Sequence, residues 1–235
     1  MITLYTFGPN IGLPDASPPC MKAEVLLKMA GLPYRLDHKG FRKAPKGKQP
    51  YLSDDGELVA DSTFIRWHLE QKYKIDFDAG LSAPERAQAW AFEKLCDDNL
   101  YFALAHVRWT DDSNFKRGPA TFFKDAPALI RPAIAMVIRR NVQRALTLQG
   151  IGRHSTAEVE RLASRGIEAV AGQLGGKPWL MGTEPCSADA SVFATIAGLL
   201  CPVFETGLLA ATQRHANLVA YRDRGMVRWY PGFKP

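Results

Sequence analysis

The sequence is short of cysteine and has no long apolar run. It contains 4 cysteines in 235 residues, and their spacing is typical of neither a zinc site nor a disulfide framework. Its longest uncharged stretch, residues 190–204, is shorter than the about 20 residues that a membrane span requires. We therefore expect no metal site, no disulfide bonds and no membrane span.

We also expect no secretory signal, because Met1 leads directly into an alternating, strand-like segment. The sequence predicts a cytoplasmic protein. Its net charge is +6, from 30 basic and 24 acidic residues, and no zinc finger or aromatic RNA-binding pattern accompanies it, so we expect no nucleic-acid partner. The densest basic run, KGFRKAPKGK at residues 39–48, fits either a solvated loop or the rim of a site for a small acidic ligand.

The first 80 residues predict short alternating strands and helices. Residues 2–7 read as a strand, residues 17–30 as a helix ended by Gly31, and residues 34–39 as a second strand. The pair Asp55-Gly56 indicates a hairpin turn between two further strands, and residues 61–73 form an amphipathic pattern. The order β-α-β, loop, β-β-α predicts a thioredoxin-like α/β layer.

From about residue 81 the pattern becomes helical, and no clear strand follows. Residues 81–109 read as one long helix that opens with a capping box, Ser82 with Glu85. A second capping box, Ser155 with Glu158, opens another helix, and Pro132 starts or kinks the helix between them. We predict domains at residues 1–76 and 82–235, joined by a linker at residues 74–80.

Four segments, in this order, carry a resemblance to a known family: SPPCMKAEVLLKMAGLPY, KGKQPYL, LVADSTFIRWHLE and GKPWLMGTEPCSADASVFA. The chain resembles the cytosolic glutathione transferases over essentially its whole length. Within that superfamily, its sequence most resembles the branch related to failed axon connections and the metaxins. The resemblance implies a thioredoxin-like domain followed by an all-helical domain, glutathione as co-substrate, and a homodimer.

The chain departs from the family pattern at two points. Cys186 occupies the position where serine or threonine usually caps a buried helix, although Asp189 remains and Ser187 offers a shifted cap. The loop after the first strand has no tyrosine, since Tyr5 lies within the strand itself. A tyrosine-type transferase is therefore not expected.

The resemblance also implies a glutathione site. Ser17 would donate to the thiolate from the start of the first helix, although a serine before proline is also an ordinary helix cap. Pro50 would follow a cis peptide bond that turns the Gln49 backbone toward glutathione. Asp61 and Ser62 would bind the γ-glutamyl end. Lys48 and Lys46 would face the glycine carboxylate.

The second substrate is expected against the long helix, where Tyr101, Ala105, Arg108 and Trp109 recur at helical spacing. Such a stripe also fits plain core packing. His106 receives no role.

The predicted function is that of a serine-type glutathione transferase, which activates the glutathione thiol for attack on a hydrophobic electrophile. Two alternatives stay open. One is a non-catalytic binding or scaffold protein on the same fold. The other is a glutathione-dependent thiol reductase that uses Cys20, although a small buried thiol is the plainer expectation for that residue.

Overall fold

A computed structural model describes residues 1–124 and 126–234. Its N-terminal part contains a four-stranded sheet in the order β2-β1-β3-β4. Strand β1 pairs in parallel with β2 and antiparallel with β3, and β3 pairs antiparallel with β4. The strand bounds are β1 Ile2–Tyr5, β2 Tyr34–Asp37, β3 Tyr51–Asp54 and β4 Glu57–Ala60.

Two helices, α1 (Pro18–Met29) and α2 (Ser62–Tyr73), complete this part of the molecule. Apolar side chains of the sheet, including Leu4 and Leu52, join those of both helices in one core. The predicted hairpin is confirmed, since Asp55 and Gly56 have φ values of 52° and 94°, the left-handed geometry of a tight two-residue hairpin turn.

The rest of the described chain is helical, which confirms the predicted fold class. The remaining α-helices are α3 Ala83–Leu95, α4 Tyr101–Thr110, α5 Asp112–Arg117, α6 Arg131–Gln149, α7 Thr156–Leu174, α8 Ser187–Leu199, α9 Gly207–Gln213 and α10 Ala216–Trp229.

The local signals for helix ends are confirmed. Glu85 accepts a hydrogen bond from the backbone N–H of Ser82 at 2.8 Å, and Glu158 accepts one from Ser155 at the same distance. Pro132 lies in the first turn of α6, where its missing N–H costs no helical bond.

The prediction of one unbroken helix over residues 81–109 is wrong in one respect. A π-helical turn, Cys96–Leu100, separates α3 from α4. Such a turn inserts one extra residue, and one residue corresponds to about 100° of rotation in an α-helix. The side chains of α4 therefore face a different direction from the one that α3 alone would give them.

Helix α8 lies at the centre of the helical part, and all of its residues are buried. Its N-cap is Cys186, whose backbone N–H donates to the Asp189 carboxylate at 2.9 Å. Asp189 also accepts from the Leu180 N–H and the Tyr221 hydroxyl. The shifted cap at Ser187 is not formed, because that residue is already the first of the helix.

A buried cluster of charges joins the two parts of the molecule. Lys22 on α1 binds Glu93 at 2.8 Å and Asp97 at 2.6 Å. Arg66 on α2 binds Glu93 at 2.6 Å and Asp78 at 2.8 Å. We call these five residues the interdomain ion cluster. It links helices α1 and α2 to the segment after α2, to α3 and to the π-helical turn.

Candidate functional site

The predicted glutathione-binding residues meet at one end of the sheet because of the strand pairing. Tyr5, the last residue of β1, lies opposite Tyr51, the first of β3, which in turn lies opposite Ala60, the last of β4. The segments that follow β1, precede β3 and follow β4 therefore share this end. They carry Ser17, the Gln49–Pro50 bond, and the start of α2.

Ser17 is the N-cap residue of α1, but its side chain makes no capping hydrogen bond. Its carbonyl accepts from the N–H groups of Cys20 and Met21, both at 3.0 Å. The residue is partly exposed. The hydroxyl at the N-terminus of α1 thus caps no helix N–H group and has the Cys20 thiol as a neighbour, in a place where helix amides favour an anion.

Asp15 shapes this loop, and the sequence analysis missed it. Its buried carboxylate accepts the N–H of Gly8 at 2.7 Å and the N–H of Ser17 at 2.8 Å. Burial raises the pKa of Asp15 to about 7, although these two hydrogen bonds act in the opposite direction. An aspartate two residues before a helix start is the sequence signal that could have pointed to it, because aspartates often bond to the backbone two residues on.

The expected cis peptide bond is present between Gln49 and Pro50. The Gln49 side chain is buried, and neither its amide oxygen nor its amide nitrogen has a hydrogen-bond partner among the described residues. The Pro50 carbonyl accepts the N–H of Asp61 at 3.1 Å, which ties the loop before β3 to the start of α2.

Asp61 has a φ of 88°, which is unusual for a residue with a side chain. Its carboxylate accepts from the Thr63 N–H at 3.2 Å and from Lys48 at 2.8 Å. Burial alone would raise the pKa of Asp61, but Lys48 and the Thr63 N–H outweigh burial and lower it. Ser62 is buried as the first residue of α2. In this structure Lys48 therefore faces Asp61, the residue beside the predicted γ-glutamyl subsite.

Tyr101 and Arg108 reach the same end of the sheet from the helical part. Burial raises the pKa of Tyr101, nearby Cys20 and Asp61 raise it further, and Arg108 acts in the opposite direction. These three groups therefore act on Tyr101 electrostatically. Arg108 is 5% exposed and donates to the carbonyl of Ala16, the residue before Ser17, at 3.0 Å.

Trp109 has its neighbours on other helices. Its ring packs against Phe115 of α5 at a centroid distance of 5.8 Å. Its carbonyl accepts from Arg139 on α6 at 2.8 Å. The shared helical spacing thus brings Tyr101 and Arg108 to the candidate site, whereas the contacts of Trp109 lie toward α5 and α6.

Cys20 is fully buried, as the simpler expectation had it. Burial raises the pKa of its thiol well above the ordinary value, and nearby Asp15 raises it further. Because the thiolate is the reactive form of cysteine, this environment argues against a thiol reductase that relies on Cys20.

A polar cavity of about 600 Å³ lies elsewhere, between α4, α5 and the starts of α7 and α9. His106 lines it and is buried with an unpartnered Nδ1. Burial lowers the pKa of His106, and nearby His154 lowers it further. None of the predicted glutathione-binding residues lines this cavity.

Residues 1–124 and 126–234 lack two features. No helix there is long and apolar enough to cross a membrane. No group of three or more histidine, cysteine, aspartate or glutamate side chains there is arranged to hold a metal ion.

Comparison with known proteins places this arrangement in a family. A glutathione S-transferase N-terminal domain model matches residues 18–114, and a glutathione S-transferase C-terminal domain model matches residues 163–225. The isoprene-epoxide glutathione S-transferase of Rhodococcus sp. (strain AD45) is 29% identical over 95% of this chain and 97% of its own length.

Further relatives agree with the branch that the sequence resembles. Failed axon connections of Drosophila melanogaster is 30% identical over 85% of this chain, which spans half of that protein's length. Mouse metaxin-1 is 27% identical over 97% of this chain and 75% of its own length.

Solved structures share the fold. The beta-etherase LigF from Sphingobium sp. strain SYK-6 superposes with a TM-score of 0.66 at 21% identity, over 96% of this chain and 94% of that one. A glutathione S-transferase from Methylobacterium radiotolerans, solved in complex with glutathione sulfonate, has a TM-score of 0.62 at 21% identity, over 100% of this chain and 94% of that one. The two domain matches, the full-length relative and the shared fold show that the chain belongs to the glutathione transferase superfamily.

Proposed function

We propose that this protein is a serine-type glutathione transferase, in which Ser17 stabilises the glutathione thiolate for attack on a hydrophobic electrophile. The observation that carries the proposal is the uncapped hydroxyl of Ser17 at the N-terminus of α1. It lies at the sheet end that also holds the cis Gln49–Pro50 bond and the start of α2. Hydrogen bonds and helix amides that favour a thiolate lower the barrier to its attack.

Glutathione would lie across this end of the sheet. The backbone of Gln49 beside Pro50 would pair with the cysteinyl unit. The Ser62 hydroxyl and the first N–H groups of α2 would bind the γ-glutamyl carboxylate, while Asp61 binds the ammonium group. Lys48 would leave Asp61 for the glycine carboxylate of the ligand, a move that its exposed side chain permits.

The second substrate would lie against α4, with Tyr101 as the proposed contact, since the contacts of Trp109 lie toward α5 and α6. The full-length relative named as an isoprene-epoxide transferase suggests an epoxide as the first electrophile to test. In that reaction the glutathione sulfur forms a bond to an epoxide carbon, the C–O bond breaks, and the alkoxide oxygen takes a proton from water.

Ser17→Ala tests the proposal. The transfer rate with an epoxide should fall about 10- to 100-fold near neutral pH, the effect of losing a hydrogen bond to a charged group. The rate should partly recover at higher pH, where the thiol ionises without help. Stability in urea should hardly change, because the hydroxyl caps nothing.

Ser155→Ala is the matched control. Its hydroxyl does cap a helix, accepting from the Glu158 N–H at 3.3 Å, so its loss should cost about 1 kcal/mol of stability and leave the transfer rate unchanged. Equal rates for the wild type and Ser17→Ala would remove Ser17 from the chemistry.

Retention on immobilised glutathione separates the remaining functions. Elution by free glutathione is the expected result. A protein that is not retained, and that shows no transfer across a panel of electrophiles, would contradict the proposal and favour a binding or scaffold function. Reduction of mixed disulfides that is lost in Cys20→Ala would favour the thiol reductase.

We further propose a cytoplasmic homodimer. An aromatic patch of Phe64, Trp67 and Trp90 supports the dimer. Trp67 packs edge-on against Phe64 and stacks on Trp90, while the three residues are 47%, 46% and 39% exposed. Trp67→Lys should shift the protein to monomer in analytical ultracentrifugation. The control is Val227→Lys, which changes an exposed apolar residue outside the patch, on α10. An unchanged mass for Trp67→Lys would place any dimer contact elsewhere.

A further inference from the structure

Arg108 is a buried cation without an anionic partner among the described residues. Its NH1 donates to the Ala16 carbonyl at 3.0 Å and its NH2 to the Gly198 carbonyl at 2.7 Å. Its Nε is buried and has no hydrogen-bond partner. The guanidinium also lies over the Phe204 ring, at 4.5 Å from its centroid. Both of its acceptors are neutral, so no negative charge among the described residues pairs with it.

A buried charge in this state is unfavourable unless an anion is nearby. Burial lowers the pKa of Arg108 to about 10, and it remains charged at neutral pH. Charged groups of this kind are therefore candidates for a ligand contact, since structural charges are normally paired. Here the missing partner would be an anion supplied by a ligand.

The position of Arg108 indicates which anion that is. The Ala16 carbonyl belongs to the peptide unit that carries the Ser17 nitrogen, so the guanidinium lies one peptide unit from the proposed thiolate site. Arg108 therefore faces the end of α1 where the glutathione sulfur would lie.

Asp15 places a carboxylate beside the same peptide unit. Its carboxylate binds the Ser17 N–H and is partly ionised near neutral pH, since burial raises its pKa only to about 7. A negative charge beside Ser17 disfavours a second one on the glutathione sulfur. A fixed positive charge on the other side of the Ala16–Ser17 peptide unit offsets this repulsion.

We propose that Arg108 is a positioning residue whose buried charge stabilises the glutathione thiolate at Ser17 and whose N–H group fixes the Ala16–Ser17 peptide unit. This inference rests on the proposed function. The sequence predicted Arg108 as a wall of the second-substrate pocket. The inference instead gives its side chain the role of stabilising the glutathione thiolate.

The test is the ionisation of bound glutathione, followed by the ultraviolet absorbance of the thiolate against pH. Arg108→Met should leave about tenfold less thiolate at neutral pH than the wild type, and Arg108→Lys should retain most of it. Arg139→Met is the matched control. Arg139 also donates to carbonyls at the end of α4 and stacks on a phenylalanine, but it has a carboxylate partner, Asp112, at 2.7 Å.

A thiolate fraction that is the same in Arg108→Met and the wild type would overturn the inference and leave the proposed function standing. A wild type that does not bind glutathione would overturn both. If Arg108→Met does not fold, two ligands of the wild type give the answer. Glutathione sulfonate, with a fixed negative charge at the sulfur, should bind at least about tenfold more tightly than S-methylglutathione, which has none. Equal affinities would overturn the inference.

Discussion

Removal of the Lys22 charge should destabilise the whole molecule. The Lys22 side chain is 1% exposed, and its ammonium group contacts the carboxylates of Glu93 and Asp97 and, at 3.4 Å, the Thr63 hydroxyl. In Lys22→Met the stem of the side chain is replaced by apolar atoms of similar length, while the charge disappears. Glu93 keeps only Arg66 as a cationic partner, and Asp97 loses the closest of its cations.

The expected loss is about 3–5 kcal/mol, the range found when one partner of a buried ion pair is removed. A domain pair of this size should lose roughly 2–4 °C of Tm for each kcal/mol, so a fall of about 6–20 °C follows. Burial alone would lower the pKa of Lys22, but Asp97 and Glu93 outweigh burial and raise it above 10.5. The stabilisation is therefore fully present at neutral pH and is lost only as the pH rises through that raised pKa.

Equilibrium unfolding in urea measures the effect, with tryptophan fluorescence and far-ultraviolet circular dichroism as separate probes. The control is Arg165→Met, which breaks the Arg165–Glu168 pair on the surface of α7, where the two side chains are 85% and 47% exposed. It should cost less than about 1 kcal/mol. A loss for Lys22→Met as small as that of the control would refute the reasoning. Separate transitions in the wild type would show that the interdomain ion cluster does not couple the two parts.

Three further outcomes follow from the contacts. The free energy of unfolding of the wild type should fall between about pH 4 and pH 7, and this fall should be absent in Asp15→Asn. The folded carboxyl keeps its proton up to a pKa of about 7, while the unfolded one ionises near 3.8. Urea unfolding of both proteins at both ends of this range tests this, and the same pH dependence in the two would contradict it. Gly225→Ala should cost about 1–3 kcal/mol of stability, since its Cβ would lie 2.3 Å from the Phe193 ring. Gly172→Ala, with open space around its Cβ, should gain up to about 1 kcal/mol of stability. Thermal unfolding of the two variants would contradict this if both shifted Tm in the same direction. Ser62→Ala should weaken glutathione binding by about 1–2 kcal/mol in calorimetry without a change in stability, and an unchanged affinity would remove Ser62 from the site.

The features that could be predicted from the sequence are those set by neighbouring residues. The Asp55-Gly56 hairpin needs two consecutive residues with positive φ. Each capping box needs an acidic side chain three residues after a serine. Such signals act within a single turn of the chain, so tertiary packing does not alter them.

The features that escaped prediction depend on distant partners. Lys22 and Arg66 look like ordinary surface charges on amphipathic helices, and only the packing of α3 against the N-terminal part buries them with Glu93. The π-helical turn lies where the Asp97 side chain reaches Lys22 and Ser191. A helical repeat in the sequence contains no information about such contacts, and it therefore predicted an unbroken helix.

The start of α1 combines both cases. The sequence identifies Ser17 as the N-cap residue, and the structure agrees on the position, but the expected capping bond of its hydroxyl is not formed. Its backbone is instead held by the Asp15 carboxylate, through the N–H group, and by Arg108, through the preceding carbonyl. The second contact spans about ninety residues, so no local pattern could have revealed it.

These unsatisfied groups give an energetic reason to expect a ligand at this end of the sheet. More than about nine in ten buried polar groups in proteins have a hydrogen-bond partner. Within residues 1–124 and 126–234, Gln49, beside the cis bond, lacks one for both atoms of its amide, and Arg108 lacks one for Nε. Both lie next to residues proposed to touch glutathione. A chain retained only as a scaffold would gain stability from an apolar side chain of similar volume at position 108. The cost of keeping a buried cation without an anionic partner beside Ser17 is offset when an anion binds there, and this supports the transferase that we propose.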